Sequence, residues 1–127
     1  MSVLRHERDP LLDIGALSKA YRRRRSPLSP VEVTEEFLER IASRDDDLRA
    51  MVTVTADRAR LHARRATRRI AVGDPSQLLG VPIVLKDIID VRGVPTTAGS
   101  AVLHDATPDR SAVVWSQLGR ALSLIHI

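Results

Sequence analysis

Apolar positions recur at helical spacing in four stretches of this chain and alternate in two. Leu11, Ile14, Leu17, Ala20 and Tyr21 mark a first helix, expected over about 10–24. Asp9-Pro10 offers an N-cap followed by proline at the first helical position, and Arg22 to Arg25 puts positive charge at the carboxyl end, where the helix dipole favours it. Ser29-Pro30-Val31-Glu32 has capping-box spacing, so a second helix is expected over about 30–43. Its apolar stripe is Thr34, Phe37, Leu38 and Ile41, while Glu35, Glu36, Glu39 and Arg40 face water. A third helix is expected over about 56–72, with Ala59, Ala63, Ala66 and Ile70 on one face and Arg58, Arg64, Arg65, Arg68 and Arg69 elsewhere. Gly73 reads as its C′ residue and Asp74-Pro75 as the stop. Thr107-Pro108-Asp109 signals the start of a last helix, carried by Ala112, Trp115 and Leu118 into Ala121.

The alternating stretches predict strands. In Met51 to Thr55, Val52 and Val54 oppose Met51, Thr53 and Thr55. In Val81 to Lys86, Val81, Ile83 and Leu85 point one way and Pro82, Val84 and Lys86 the other. Ile88, Ile89 and Val91 continue or flank the sheet, and Gly93, Pro95 and Gly99 make a loop at its end, where sites tend to sit. Helices interleaved with strands give an α/β class.

Composition narrows this picture. A length of 127 residues suggests one domain or a piece of one. The apolar share of 43% allows a core, and the aromatic share of 2% requires that core to be aliphatic and alanine-rich. Without cysteine there is no disulfide framework and no thiolate metal site, which fits a reducing, cytoplasmic setting. No run approaches the ~18 apolar residues of a membrane span. Met1 to Pro10 lacks the apolar centre of a secretory signal. Asp45-Asp46-Asp47 reads as a solvated loop, since it has neither the alternate ligands nor the turn glycine of a calcium site. His62, alone on the third helix, reads as a surface or half-buried histidine. No metal and no cofactor is expected. Net charge is +4, with most of the excess in Arg22 to Arg25 and Arg58 to Arg69. Those runs lie on expected helices and lack interleaved aromatics beyond Tyr21, so they read as solvated faces rather than a nucleic-acid surface.

One residue type is used unusually. The chain has eighteen arginines and only two lysines, Lys19 and Lys86. Lys86 follows the apolar run Val81 to Leu85 directly. Arginine keeps its proton in proteins, whereas a desolvated lysine gives it up and acts as a base. The apolar lead-in is expected to bury Lys86. The alternative for this residue is an ion pair with Asp87 or Asp90.

Pro82-Ile-Val-Leu-Lys86-Asp followed by Val91-Arg-Gly-Val-Pro-Thr-Thr-Ala-Gly-Ser100 resembles the amino-terminal half of the amidase signature family. The resemblance covers roughly residues 27 to 115 and is specific at 80 to 100. It implies a large mixed sheet flanked by helices, of which this chain would hold the opening part. It also implies amide hydrolysis by a Ser, cis-Ser, Lys triad, with Lys86 in the place of the lysine. In the family that lysine acts on the nucleophilic serine through the bridging cis-serine, and a glycine-rich turn supplies the oxyanion hole. The glycine- and serine-rich segment that carries both serines is absent, and Ala121 to Ile127 departs from the family pattern, so residues 1–127 are expected to be a partial amidase domain, inactive alone. Thr96, Thr97 and Ser100 are left without a role, because the family does not take its nucleophile from this loop. The expected substrate is a small carboxamide, and the expected partners are copies of the chain or amidotransferase subunits. Three other functions stand beside this one: the glutamine-hydrolysing subunit of an aminoacyl-tRNA amidotransferase, within the same family; a basic nucleic-acid-binding module; and a non-catalytic interaction domain.

Overall fold

The computed structural model describes residues 13–23, 26, 28–122 and 125–126. Helices α1 (Ile14–Tyr21), α2 (Pro30–Leu48) and α3 (Ala56–Ala71) come first, then strand β1 (Pro82–Ile83), a short 3-10 turn (Ala101–Leu103), helix α4 (Val113–Leu122) and strand β2 (Ile125–His126).

Local side chains and a glycine set several ends of the first three helices. Asp13 caps α1, its carboxylate accepting from the Ala16 N–H at 2.8 Å. Asp9, Pro10, Leu11 and the pair Arg24-Arg25 lie outside the described residues. At α2 the capping box is complete: Ser29 Oγ accepts from the Glu32 N–H at 3.3 Å, and Glu32 Oε2 accepts from the Ser29 N–H at 2.7 Å. This helix runs five residues past the expected end, so Asp45, Asp46 and Asp47 form its last turn rather than a loop. Asp45 makes the ending itself: Arg49 turns left-handed (φ 49°), and Asp45 Oδ1 accepts from the amides of Ala50 and Met51 at 2.8 and 3.1 Å. A stretch of three acids carries no start or stop signal of its own, which is why the spacing did not reveal this. Helix α3 stops as its sequence indicates. Gly73 adopts φ 86°, its N–H reaches the Ile70 carbonyl at 3.0 Å, and the Asp74 N–H reaches that of Arg69 at 3.1 Å, a Schellman ending.

Packing between α2 and α3 is set by small residues. Ala59, Ala63 and Ala66 are all 0% exposed, and without longer side chains the two helices approach closely. Ala59 and Ala63 pack with Leu38, Val31 and Ile41. Leu17 and Tyr21 of α1 pack with Val33, Leu28 and Ile70, and Phe37 belongs to both groups. Val33 is the core residue missing from the expected stripe. Arg60 of α3 holds Glu35 of α2 in a two-pronged pair at 2.8 and 3.0 Å, and its guanidinium keeps the Glu35 carboxyl below the usual carboxylate range.

Long-range contacts fasten α1 to the segment before β1. Arg22 donates to the carbonyls of Asp74 and Ser76, both at 2.6 Å, and the Tyr21 hydroxyl donates to the Gly80 carbonyl at 3.3 Å. Burial there pushes ionisation of that hydroxyl well above its ordinary range. Gly80 has φ 82°, and a Cβ built on it would lie 2.5 Å from Pro30 Cγ. Only glycine fits between α2 and the start of β1.

The sheet is smaller than expected. Among the described residues it is one parallel pair, Pro82 opposite Ile125 and Ile83 opposite His126. Residues 51–55 form no strand, and Val84 to Lys86 continue from β1 unpaired. A strand exists only through its partner, and no backbone hydrogen bond joins residues 50–54 to 82–87 among the described residues. Pairing instead falls to the 125–126 segment, which lies outside the pattern of alternation. The last helix also starts later than Thr107-Pro108-Asp109 suggests. Residues 106–112 are bound to the loop before them: the Thr96 N–H to the Ala106 carbonyl (2.9 Å), the Gly93 N–H to that of Pro108 (3.1 Å) and the Ala112 N–H to that of Asp90 (2.9 Å). Those bonds commit the segment to lie alongside 90–96, and α4 begins only after them.

Candidate active site

Lys86 follows β1 by three residues and lines an open cavity of about 350 Å³. Met51 and Thr53 form one wall, and Val84, Asp87, Val94 and Thr96 stand with Lys86 on the others. The two segments expected to pair as strands thus share a cavity without bonding to each other. A second hollow of about 300 Å³, almost wholly apolar, is lined by Phe37, Ile41, Leu48, Met51, Pro82 and Val84.

The lead-in alternates as expected at its start, where Val81 is 4% exposed, but it does not bury the lysine. Val84 is 55% exposed and Lys86 is exposed. Side chains at alternate positions share a face, and nothing among the described residues covers the face of Val84 and Lys86. The ion-pair alternative also does not form: no described carboxylate lies within pairing distance of the Lys86 ammonium.

Asp87 is occupied elsewhere. Its Oδ1 accepts from the Thr97 N–H at 2.9 Å, its Oδ2 accepts a short hydrogen bond from the Thr97 hydroxyl, and its carbonyl accepts from the Ala98 N–H at 2.8 Å. These donors, the Thr97 hydroxyl foremost, hold the Asp87 carboxyl below its usual range. Ala98 takes the left-handed conformation (φ 50°), followed by Gly99 at φ 70°. The Ser100 hydroxyl accepts from the Val102 N–H at 3.3 Å, which starts the 3-10 turn. Thr97 and Ser100 are therefore engaged in shaping the loop, and Thr96 contributes to the cavity wall. By sequence, Asp87 stands out only as a partner for Lys86. Its bond to a threonine ten residues on has no periodicity that would reveal it.

Chemically, the cavity offers an amine with access to solvent and no partner among the described residues, beside a carboxylate whose acceptors are taken. Among the described residues no three His, Asp or Glu side chains are grouped to hold a metal ion, and no helix is long and apolar enough to cross a membrane. His62 is half-buried on α3, away from the cavity lining. Several arginines expected to face water are tied instead to the protein: Arg58 donates to the Arg92 carbonyl at 3.3 and 3.4 Å, and Arg69 pairs with Asp74 at 2.6 Å.

Comparison with known proteins bears on the same stretch. The family model described as Amidase matches residues 32–125. The chain is 41% identical over 91 residues to a glutamyl-tRNA(Gln) amidotransferase subunit of Trichlorobacter lovleyi, covering 72% of this chain and 19% of that protein. It is 44% identical over 99 residues to the subunit of the same name from an Anaeromyxobacter species, covering 77% and 20%. The chain spans about a fifth of the length of these relatives. A crystal structure of a bacterial aryl acylamidase belonging to the amidase signature enzymes superposes with a TM-score of 0.75 at 29% identity, over 90% of this chain and 24% of that one. An inhibitor-bound vestigial complex linked to the origins of an s-triazine catabolic enzyme gives 0.71 at 31% identity, over 78% and 22%. With a family match that takes in most of α2, all of α3, β1 and the whole Lys86 cavity, this chain belongs to the amidase signature family.

Proposed function

We propose that this chain contributes the base to an enzyme that hydrolyses a carboxamide C–N bond through a Ser, cis-Ser, Lys mechanism, with Lys86 as that base. The observation that carries the reading is Lys86 itself: a rare lysine in an arginine-using chain, without a partner among the described residues, at the wall of a cavity. A neutral amine there takes the proton of the bridging serine as the nucleophilic serine attacks, and returns one to the leaving nitrogen. Both serines come from polypeptide beyond residues 1–127, as does the cover that desolvates the face of Val84 and Lys86. That polypeptide also extends the β1–β2 pair into the mixed sheet flanked by helices, and residues 1–127 are the opening part of this domain.

The relatives favour one member of the class. The two named above are glutamyl-tRNA(Gln) amidotransferase subunits, which supports glutamine as the amide and companion amidotransferase subunits as partners. Free glutamine and simple aryl amides are therefore the substrates to compare.

The test is made in the enzyme carrying both serines. Lys86→Ala is expected to lower kcat on the order of a thousandfold or more, since triad members act as a unit. Lys86→Arg is expected to be nearly as damaging, because arginine keeps its proton. Full turnover in the arginine variant removes Lys86 from the chemistry.

A further inference from the structure

The Lys86–Asp87 pair presents a conflict that the loop resolves. A base needs its amine free, yet the next residue is a carboxylate, and an adjacent anion favours the protonated ammonium. In the structure both oxygens of Asp87 are held by the loop that follows, Thr97 foremost, with the amides of Gly99 and Ala98 contributing. Thr97 gives its amide to Oδ1 and its hydroxyl to Oδ2, and the Asp87 carbonyl is tied to the Ala98 amide at 2.8 Å. Lys86 is left without a described partner. The left-handed turn at Ala98 and Gly99 brings the loop back onto Asp87.

We propose that Thr97 is a positioning residue for the base: by holding both oxygens of Asp87, it keeps the neighbouring carboxylate off Lys86 and leaves the amine free in the cavity. This rests on the reading of Lys86 as the base. The hydroxyl is the foremost of the donors to this carboxylate, ahead of the amides of Thr97, Gly99 and Ala98, so its loss is the single change that loosens the carboxylate most. The Asp87 carboxyl titrates below its usual range, in keeping with an anion already satisfied.

Lysine scarcity makes this measurable in residues 1–127. Trace acetylation with an N-hydroxysuccinimide ester, read by peptide mass spectrometry, reports the Lys86 to Lys19 labelling ratio, with the exposed Lys19 as internal reference. An exposed ion pair at about 4 Å is worth ~1 kcal/mol, which corresponds to roughly a fivefold change in the free-amine fraction. Thr97→Val is expected to lower the ratio about fivefold on this basis, and adding Asp87→Asn to restore it. Thr97→Ser, which keeps the hydroxyl, should stay within about twofold of the parent, a rescue that loss of side-chain packing alone does not produce. A Thr97→Val ratio within about twofold of the parent, with the helical circular dichroism intact, overturns the proposal. Asp87→Asn alone serves if Thr97→Val unfolds. With Thr97 holding Asp87, removing the charge changes the ratio by less than about twofold, whereas a rise near fivefold means that Asp87 was pairing with Lys86 all along and also overturns it. Labelling reads the amine without turnover. An active Lys86→Arg enzyme would thus dismiss the base without moving this ratio, and an unmoved ratio would dismiss Thr97 without touching the base.

Discussion

Gly80 is the residue whose identity the fold depends on most directly. Two constraints meet there: a φ of 82°, and a Pro30 ring 2.5 Å from where a Cβ would stand. The ring is rigid and opens α2, so neither partner gives way cheaply. Gly80→Ala is expected to cost about 3 kcal/mol, combining left-handed strain with overpacking. Gly73→Ala carries a similar φ of 86° with open space around it, so it should cost only about 1 kcal/mol. Urea midpoints at unchanged slope give both values, and equal losses would show that the Pro30 contact is unimportant. Gly73 is marked in the sequence by its Asp-Pro successor, whereas nothing local marks Gly80, whose constraint comes from a residue fifty positions earlier. Lys86 was legible for a different reason, the contrast of one lysine against many arginines. Its exposure was not, because alternation says which residues share a face and not what covers that face.

Helices were the legible elements, and their ends were legible at Ser29 with Glu32 and at Gly73, but not at Asp13 or Asp45, whose capping roles no spacing announced. Ser29 with Glu32, and Gly73, act within a turn of their own position, so the local pattern contains the cause. Strands were not legible in this way. Residues 51–55 have β-branched alternation and no partner, while β2 has a partner and no pattern that announced it. Local arginines also shape element ends. At the end of α3, Asp74 is held by Ser76, through its hydroxyl and its N–H at 2.9 Å, and by Arg69, which together bring its pKa down to about 2. A carboxyl with a lowered folded pKa stabilises above its unfolded value of about 3.9, and that contribution fades as pH falls through the folded value. The chain should therefore lose stability progressively from about pH 5 to pH 2, and Asp74→Asn should flatten this part of the acid titration. An acid limb unchanged in Asp74→Asn would assign the loss to other carboxylates.

Across the whole molecule, the division of charge and apolar surface points in two directions. Part of the arginine excess is tied to the protein's own surface: Arg22 and Arg58 to backbone carbonyls, Arg60 and Arg69 to carboxylates. Aliphatic side chains meanwhile lie open in the lining of the two hollows, with Leu48 69%, Val52 63% and Val84 55% exposed. Contiguous apolar surface of this kind associates. Residues 1–127 alone are expected to self-associate with rising concentration in sedimentation velocity, and to show no hydrolysis of glutamine or simple aryl amides. Turnover in this chain that disappears in Lys86→Ala would mean that a nucleophile lies within it and would overturn the assignment of both serines to other polypeptide.

The link between Tyr21 and Gly80 also sets a timetable for synthesis. The two residues are 59 positions apart. A ribosome adding ~5–20 residues per second takes on the order of 3–12 s to make that interval. Throughout it α1, an eight-residue helix too short to persist alone, has no finished surface on which to lay Leu17 and Tyr21. The first described helix is thus among the last to be fully secured: Leu28, Val33 and Phe37 are available to its apolar face earlier, but its fastening to residues 74–80 waits until the segment before β1 has emerged.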